Sequence, residues 1–362
     1  MTDLFSPLSF THGPAMKNRL MLAPLTNLQS HPDGTLSDDE IRWLTLRAEG
    51  GFGVVMTAAA NVQKVGLGFP GQLGVWSDDH LPGLAKLASA LKAGGAVSNV
   101  QLHHGGIRSP AGFVGQPVGA SDDAETGARG LSTAEVEELI EDFIAAAVRS
   151  EKAGFDGVEL HGAHGYILAQ FLSKATNRRD DRYGGSLENR ARPIKEIIAG
   201  IRARCRPDFQ LGLRLSPERF GVETGEMLDL ATEVLRDERL DFLDMSLWDA
   251  GKEPEDAGFK GKSLAELFLS LPQGKVRLGL AGKIYSAPRA KELLDAGADF
   301  LLIGRAAIVH HDFPKRSAAN PAFQMDALPV SAEHLRREGL GEPFLNYMKS
   351  WAGFVIPETE PA

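Results

Sequence analysis

Two imidazoles and a phenol fall within six positions of one another, His161-Gly-Ala-His164-Gly-Tyr166, directly after the short apolar run Val158 to Leu160. If that run is one strand of a barrel of alternating strands and helices, the three side chains sit just past its C-terminal end. Such barrels gather their reactive groups there. Two imidazoles can donate hydrogen bonds to a single oxygen, and a phenol is a weak acid that can hand over a proton. Two blander readings compete. The pair could be satisfied loop histidines, or it could hold a metal, although no Cys or carboxylate accompanies it at ligand spacing.

Apolar runs alternate with helical spacing along most of the chain, and these elements must position the three groups. The pattern predicts strands at 19–23, 53–58, 97–102, 158–160, 209–215, 242–246, 276–281 and 300–303. Between them it predicts helices at 36–49 (capped by Ser37), 81–93, 132–153, one ending near Arg204, 228–237, one of about ten residues after Lys262, and 288–296. Eight strand–helix units imply an α/β fold, a (β/α)8 TIM barrel. A doubly wound sheet is the alternative, but no Gly-x-Gly-x-x-Gly follows any strand. The reading gives one domain over 1–362, with a barrel core at about 19–311. Residues 1–18 are expected to form a lid or hairpin over one end. Residues 312–362 form a C-terminal extension that caps the barrel or meets a neighbouring subunit, and 357–362 read as a disordered tail.

Other strand ends carry chemistry too. In this architecture an anion site is expected after strands seven and eight, where backbone amides and a helix start face a phosphate. Gly282-Lys283 and Gly304-Arg305 occupy those two places. Glycine lets the backbone approach closely, and Arg305 can pair with phosphate oxygens bidentately. Either glycine alone would pass for an ordinary turn residue. Arg214 lies between leucines near the end of the fifth strand and would be costly to bury without an anionic partner, a carboxylate or a ligand.

Composition excludes several classes. The chain has 362 residues, 43% of them hydrophobic, and a net charge of −9, with a pI near 5.6. This argues against nucleic acid or an acidic membrane as partner, since both require clustered basic surface. The single cysteine, Cys205, excludes an intramolecular disulfide and a cysteine-ligated iron–sulfur cluster. The N-terminus lacks the pattern of a signal peptide, and no run reaches the roughly 18 apolar residues of a membrane span. The expectation is a cytoplasmic protein, with a homo-oligomer possible.

The downstream residues make the pattern specific. After His161-x-x-His164-x-Tyr166 come Asn177, Arg179, Asp181, Tyr183, Gly184, Gly185, Ser186, Glu188, Asn189 and Arg190. This run resembles the signature of the old yellow enzyme family of flavin-dependent ene-reductases. Pro193 departs from it, and implies that the following helix is kinked or starts late. The resemblance implies non-covalent FMN, with NADH or NADPH as hydride donor and an electron-poor alkene as small-molecule substrate. It implies Ala23, Pro24, Thr26, Ala58, Gln101 and Arg214 around the flavin ring, and Gly282, Lys283, Gly304 and Arg305 on its phosphate. Thr26 would lie near flavin O4, Gln101 on the pyrimidine edge, and Arg214 beside N1 and O2. His161 and His164 would hold the substrate's oxygen, and Tyr166 would protonate the α-carbon.

His104 fits the family's Gln-Leu-x-His pattern, whereas Arg108 is displaced from the usual Gly-Arg and inherits no role. His103 reads as a packed or solvent-touching imidazole. Relatives that act on dienoyl-CoA or amines carry a cluster and a second nucleotide domain, which this chain cannot supply. From a different class, a flavin-free, phosphate-binding isomerase or lyase would use the same glycines. It would want a lysine or carboxylate where His-x-x-His-x-Tyr stands.

Overall fold

The computed structural model describes residues 3–357, and the expected tail beyond Pro357 lies outside them. Eight parallel strands close into a barrel: β1 (Leu20–Leu22), β2 (Val54–Asn61), β3 (Val97–His103), β4 (Gly157–Gly162), β5 (Gln210–Leu215), β6 (Phe242–Ser246), β7 (Arg277–Ala281) and β8 (Phe300–Ile303). Each pairs with its neighbours in sequence, and β1 pairs with β8 through Leu20↔Leu301 to Leu22↔Ile303. Every strand but β7 is buried along its whole length, as expected when helices cover the outside of a closed parallel sheet.

The main outer helices are α1 (Asp38–Glu49), α2 (Leu81–Ala93), α3 (Thr133–Lys152), α4 (Arg192–Arg204), α5 (Thr224–Leu235), α6 (Leu264–Leu269), α7 (Ala287–Asp295) and α8 (Arg305–Val309). Their starts follow local chemistry. The Ser37 side chain accepts the Glu40 amide, and Ser132 with Glu135 forms a reciprocal capping box. Pro193 falls in the first turn of α4, where its missing N–H is not needed, so the helix starts late as expected.

Several boundaries differ from the sequence pattern, and β4 runs to Gly162, which places His161 on the strand rather than past its end. β2 runs three residues past Ala58, α5 begins at Thr224 rather than Leu228, and α6 has six residues instead of about ten.

The N-terminal segment closes one end. Leu8 and Met16 bridge antiparallel, forming the expected hairpin, and the His12 amide donates to Asp241 Oδ1 at 2.7 Å. Phe10 packs against Phe242 and Phe300, the first residues of β6 and β8, with ring centroids 5.8 and 6.4 Å apart. This plugs the end where the strands begin and leaves the other end for the loops.

The C-terminal extension comprises α9 (Phe313–Ala319), α10 (Ala332–Arg337) and α11 (Glu342–Lys349); α9 packs beside Gly51, just before β2, whereas α11 and the turn after it reach the other end. Buried Arg47 ties it to the barrel. Its guanidinium stacks 3.0 Å from the Trp43 ring centroid and donates to the Glu338 carbonyl at 2.7 Å and the Ala307 carbonyl at 2.9 Å. The Gly341 amide donates to Gln29 Oε1 at 2.8 Å, which sets the start of α11 beside the loop after β1. No helix of the described residues is long and apolar enough to cross a membrane.

Candidate active site

Strand register builds the floor of the site. Gln101 on β3 pairs with Glu159 on β4, His161 on β4 with Arg214 on β5, and Arg214 with Asp244 on β6. Gln101 Nε2 donates to Glu159 Oε1 at 2.7 Å. Arg214 Nη2 donates to Ser246 Oγ at 3.1 Å. Arg214 Nε lies 2.9 Å from Asp244 Oδ2 but out of line for a good hydrogen bond. Burial raises the Glu159 carboxyl to about 8, helped by the nearby Asp244 charge. Burial also raises Asp244, to about 6, against the pull of Arg214. The arginine between leucines therefore has the carboxylate partner that one reading required, and it still lines the open cleft above.

Above this floor sit the three groups, His161 from the end of β4 itself and His164 and Tyr166 from the loop after it. His161 Nδ1 accepts the Ala163 amide at 3.3 Å, and His161 Nε2 lies 3.3 Å from His164 Nδ1. His164 Nε2 lies 2.8 Å from Ser246 Oγ. Because His161 Nδ1 accepts, its proton is on Nε2, which makes that nitrogen the donor to His164. Burial holds both imidazoles neutral, with their pKa values well below the usual histidine range, and each lowers further beside the other cations and imidazoles. Tyr166 packs edge-on to His103 and His161, with centroids 4.3 and 5.1 Å apart, and burial raises its pKa.

All three groups line a cavity of about 480 Å³ together with Pro24, Thr26, Gln101 and Arg214. A second lobe of about 210 Å³ adjoins it and is lined by Ala23, Gly282, Lys283, Gly304 and Arg305. Pro24, Leu25, Arg214, Trp248, Ile308 and Trp351 face both lobes, so the two form one cleft.

The sequence expectations thus converge, with one correction. Ala59 lines the cleft, and Ala58 does not. The pairing of β2 with β3 slips between Met56 and Ala59, which changes which alanine faces inward. The two glycines also differ in kind. A Cβ on Gly282 would meet the Ala250 backbone nitrogen at 2.6 Å, so that glycine serves loop packing. A Cβ on Gly304 would meet nothing closer than Leu25 Cδ2 at 3.7 Å, so its face toward the cleft is open.

His103 is a packed imidazole, 2.9 Å from Gln72 Nε2 through Nδ1, and burial lowers its pKa to about 3. The histidine–carboxylate clusters with metal-ligand spacing involve His310, His311, Asp312, His334 and Glu338, away from His161 and His164.

Several lining residues were not expected. Arg108, Phe69 and Phe220 come from loops, and Tyr347, Met348 and Trp351 come from α11 and the turn after it. Only Arg108 left a signal in the sequence, as an arginine displaced from a family position.

The fold is that of a flavin oxidoreductase barrel. The chain belongs to the NADH:flavin oxidoreductase / NADH oxidase family, whose model matches residues 3–322, and within it resembles the old yellow enzymes. It is 38% identical over 363 residues to a probable NADH-dependent flavin oxidoreductase of Bacillus subtilis, covering 97% of both chains. Its structure aligns with an old yellow enzyme homologue from Zymomonas mobilis at a TM-score of 0.78, with 28% identity over 96% of this chain and 99% of the other. Morphinone reductase in complex with tetrahydroNAD aligns at 0.77, with 28% identity over 96% and 97%. Some matched chains are longer, and this one spans 52% of one aligned structure and 38% of one curated relative. The protein is an NAD(P)H-dependent flavin oxidoreductase that uses FMN, of the general ene-reductase type.

Proposed function

We propose that this protein reduces α,β-unsaturated carbonyl or nitro compounds, with His161 and His164 holding the activating oxygen and Tyr166 supplying the proton. The observation that carries this reading is convergence. A paired, neutral imidazole couple and a protonated phenol line one lobe of a cleft whose other lobe ends in unpaired Arg305 and the open face of Gly304.

The residues present fit FMN. Arg305 has no carboxylate partner among the described residues, its Nη1 donating to Tyr285 Oη at 2.7 Å. Gly304 leaves room for close approach to a phosphate, and Arg214 and Gln101 offer polar groups along the floor between the lobes. Gly304, Lys283 and Arg305 would hold the phosphate, with Gln101, Arg214, Pro24 and Thr26 around the ring. Bound FMN, reduced by NAD(P)H, supplies the hydride for the alkene's β-carbon.

The chain supplies the rest. The Nε2–H groups of the two neutral imidazoles, which face His164 Nδ1 and Ser246 Oγ, turn to donate to the carbonyl or nitro oxygen when substrate binds and stabilise charge as it develops there. Tyr166 gives its proton to the α-carbon, and its raised pKa keeps that proton in place at neutral pH. His103 and Arg108 pack on the ring of Tyr166 and fix its orientation.

The test is an equilibrium titration of the flavin-loaded protein with a para-substituted phenol. Wild type should gain a long-wavelength charge-transfer band, and His161→Ala and His164→Ala should each weaken binding at least tenfold. Equal affinity in all three proteins would refute the oxygen clamp. A phosphate-binding isomerase or lyase without flavin has no support from the family found.

A further inference from the structure

Four cations line the cleft: Arg108, Arg214, Lys283 and Arg305. Two are neutralised by the chain itself, Arg214 by Asp244 and Lys283 by Asp249, each at 2.9 Å. The other two have no carboxylate partner among the described residues. They stand at opposite ends, Arg305 in the smaller lobe and Arg108 in the lobe that contains His161, His164 and Tyr166. An unpaired arginine at the first end matches the cofactor's phosphate. The second end lacks such an anion.

Arg108 closes the short 3-10 turn Gly106–Arg108 that follows β3. Its guanidinium carbon lies 4.8 Å from the Tyr166 ring centroid and 5.8 Å from that of Phe220. One nitrogen, Nη1, donates to the His164 carbonyl. Among the described residues, Nη2 and Nε have no acceptor. Arg108 is solvent-exposed, its planar fork suits a carboxylate, and the two flanking rings restrict its rotation. A guanidinium held in this way is preorganised for an anion on the substrate.

We propose that Arg108 is an anion anchor for the substrate. The preferred alkenes then carry a carboxylate in addition to the group that activates the double bond. The proposal rests on the ene-reductase reading above. It places the activating oxygen on the imidazole pair and the carboxylate beside the proton donor. The competing role is a brace. By bonding the His164 carbonyl, Arg108 could simply hold that residue's left-handed backbone (φ 58°) in place.

Substrate selectivity separates the two roles. The probes are (E)-4-oxopent-2-enoate and its methyl ester, which share the enone and differ in the anion. Kinetics of the flavin-loaded full chain with NADH give kcat/KM for each. Changing Arg108→Gln should lower the acid-to-ester ratio of kcat/KM at least tenfold, chiefly through KM for the acid. Arg108→Lys, which keeps the charge without the fork, should restore part of it.

An independent equilibrium reading uses 4-hydroxybenzoate and 4-hydroxybenzamide, titrated against the flavin absorbance. Arg108→Gln should lower the affinity ratio in the same direction. If Arg108→Gln reduces both members of each pair in the same proportion, the residue is only a brace and the proposal is overturned. If wild type reduces neither enone although NADH reduces its flavin, the ene-reductase reading has failed, and the anchor with it.

Discussion

Changing Tyr166→Phe tests the proton donor most directly, because it removes one oxygen and little else. The ring keeps its packing against His103, His161 and Arg108, at centroid distances of 4.3, 5.1 and 4.8 Å. No intramolecular hydrogen bond holds the hydroxyl among the described residues. The folding cost should therefore stay below the roughly 1 kcal/mol of a lost hydrogen bond. A positioned general acid is worth about 10²–10⁴ in rate, or about 3–5 kcal/mol of barrier. Anaerobic stopped-flow absorbance separates flavin reduction by NADH from flavin reoxidation by 2-cyclohexenone. The substitution should slow reoxidation by about 10²–10⁴ relative to reduction. In wild type the reoxidation rate should not fall with pH until above the ordinary phenol value of about 10, because burial raises the Tyr166 pKa. Reoxidation within about threefold of wild type would refute the assignment, since that is far below any general-acid contribution.

Other predictions test the parts around it. Gly304→Ala should leave the melting temperature of the FMN-free protein unchanged and weaken FMN binding, whereas Gly282→Ala should destabilise the fold by about 1–3 kcal/mol through its backbone clash. Calorimetry and flavin fluorescence titration distinguish these outcomes. Arg305→Ala should raise the FMN Kd about 10–100-fold, the worth of one or two charge-assisted hydrogen bonds, as read by the same titration. Glu159→Gln should gain stability relative to wild type as pH rises. The folded carboxyl keeps its proton up to about 8 while the unfolded one loses it near 4.5, so the wild type loses stability across that interval and the amide does not. Melting curves at pH 5 and pH 9 that show the same difference between the two proteins would contradict this.

The strands were legible because their apolar runs are short and regularly spaced, and the strand ends were legible because reactive side chains follow them directly. The departures have local physical causes. β2 continues through Thr57-Ala-Ala-Ala-Asn61, whose alanines carry no strand propensity, and its bulge turns Ala59 rather than Ala58 to the cleft. α5 starts four residues before the predicted Leu228, because Thr224 and Gly225, both weak helix formers, nevertheless begin the helix after Glu223. Tyr347, Met348 and Trp351 were invisible as site residues. They reach the cleft only because the extension folds back over the barrel, held by Arg47 and Gln29, and that contact spans some 300 residues of sequence.

Side-chain identity at the strand ends is only part of what the site needs, because the loops must also hold unfavourable backbone. Among the described residues, the non-glycine residues with positive φ are Leu28, His164, Arg219, Phe220, Trp248 and Lys283. Every one follows the C-terminal end of a barrel strand, and none lies on the hairpin end. A left-handed non-glycine residue costs of order 1–3 kcal/mol and persists only where its surroundings over-determine it. At His164 those surroundings are visible. Its amide donates to Ser216 Oγ at 3.0 Å, its carbonyl accepts from Arg108, and its ring lies between His161 and Ser246. Residues that follow β3 and β5 and the last residue of β6 therefore fix one imidazole. The stability of the closed strand layer offsets this strain, and in return the imidazole pair and the phenol face the same small volume. The same sequence motif on a relaxed loop would carry the same groups without that shared focus.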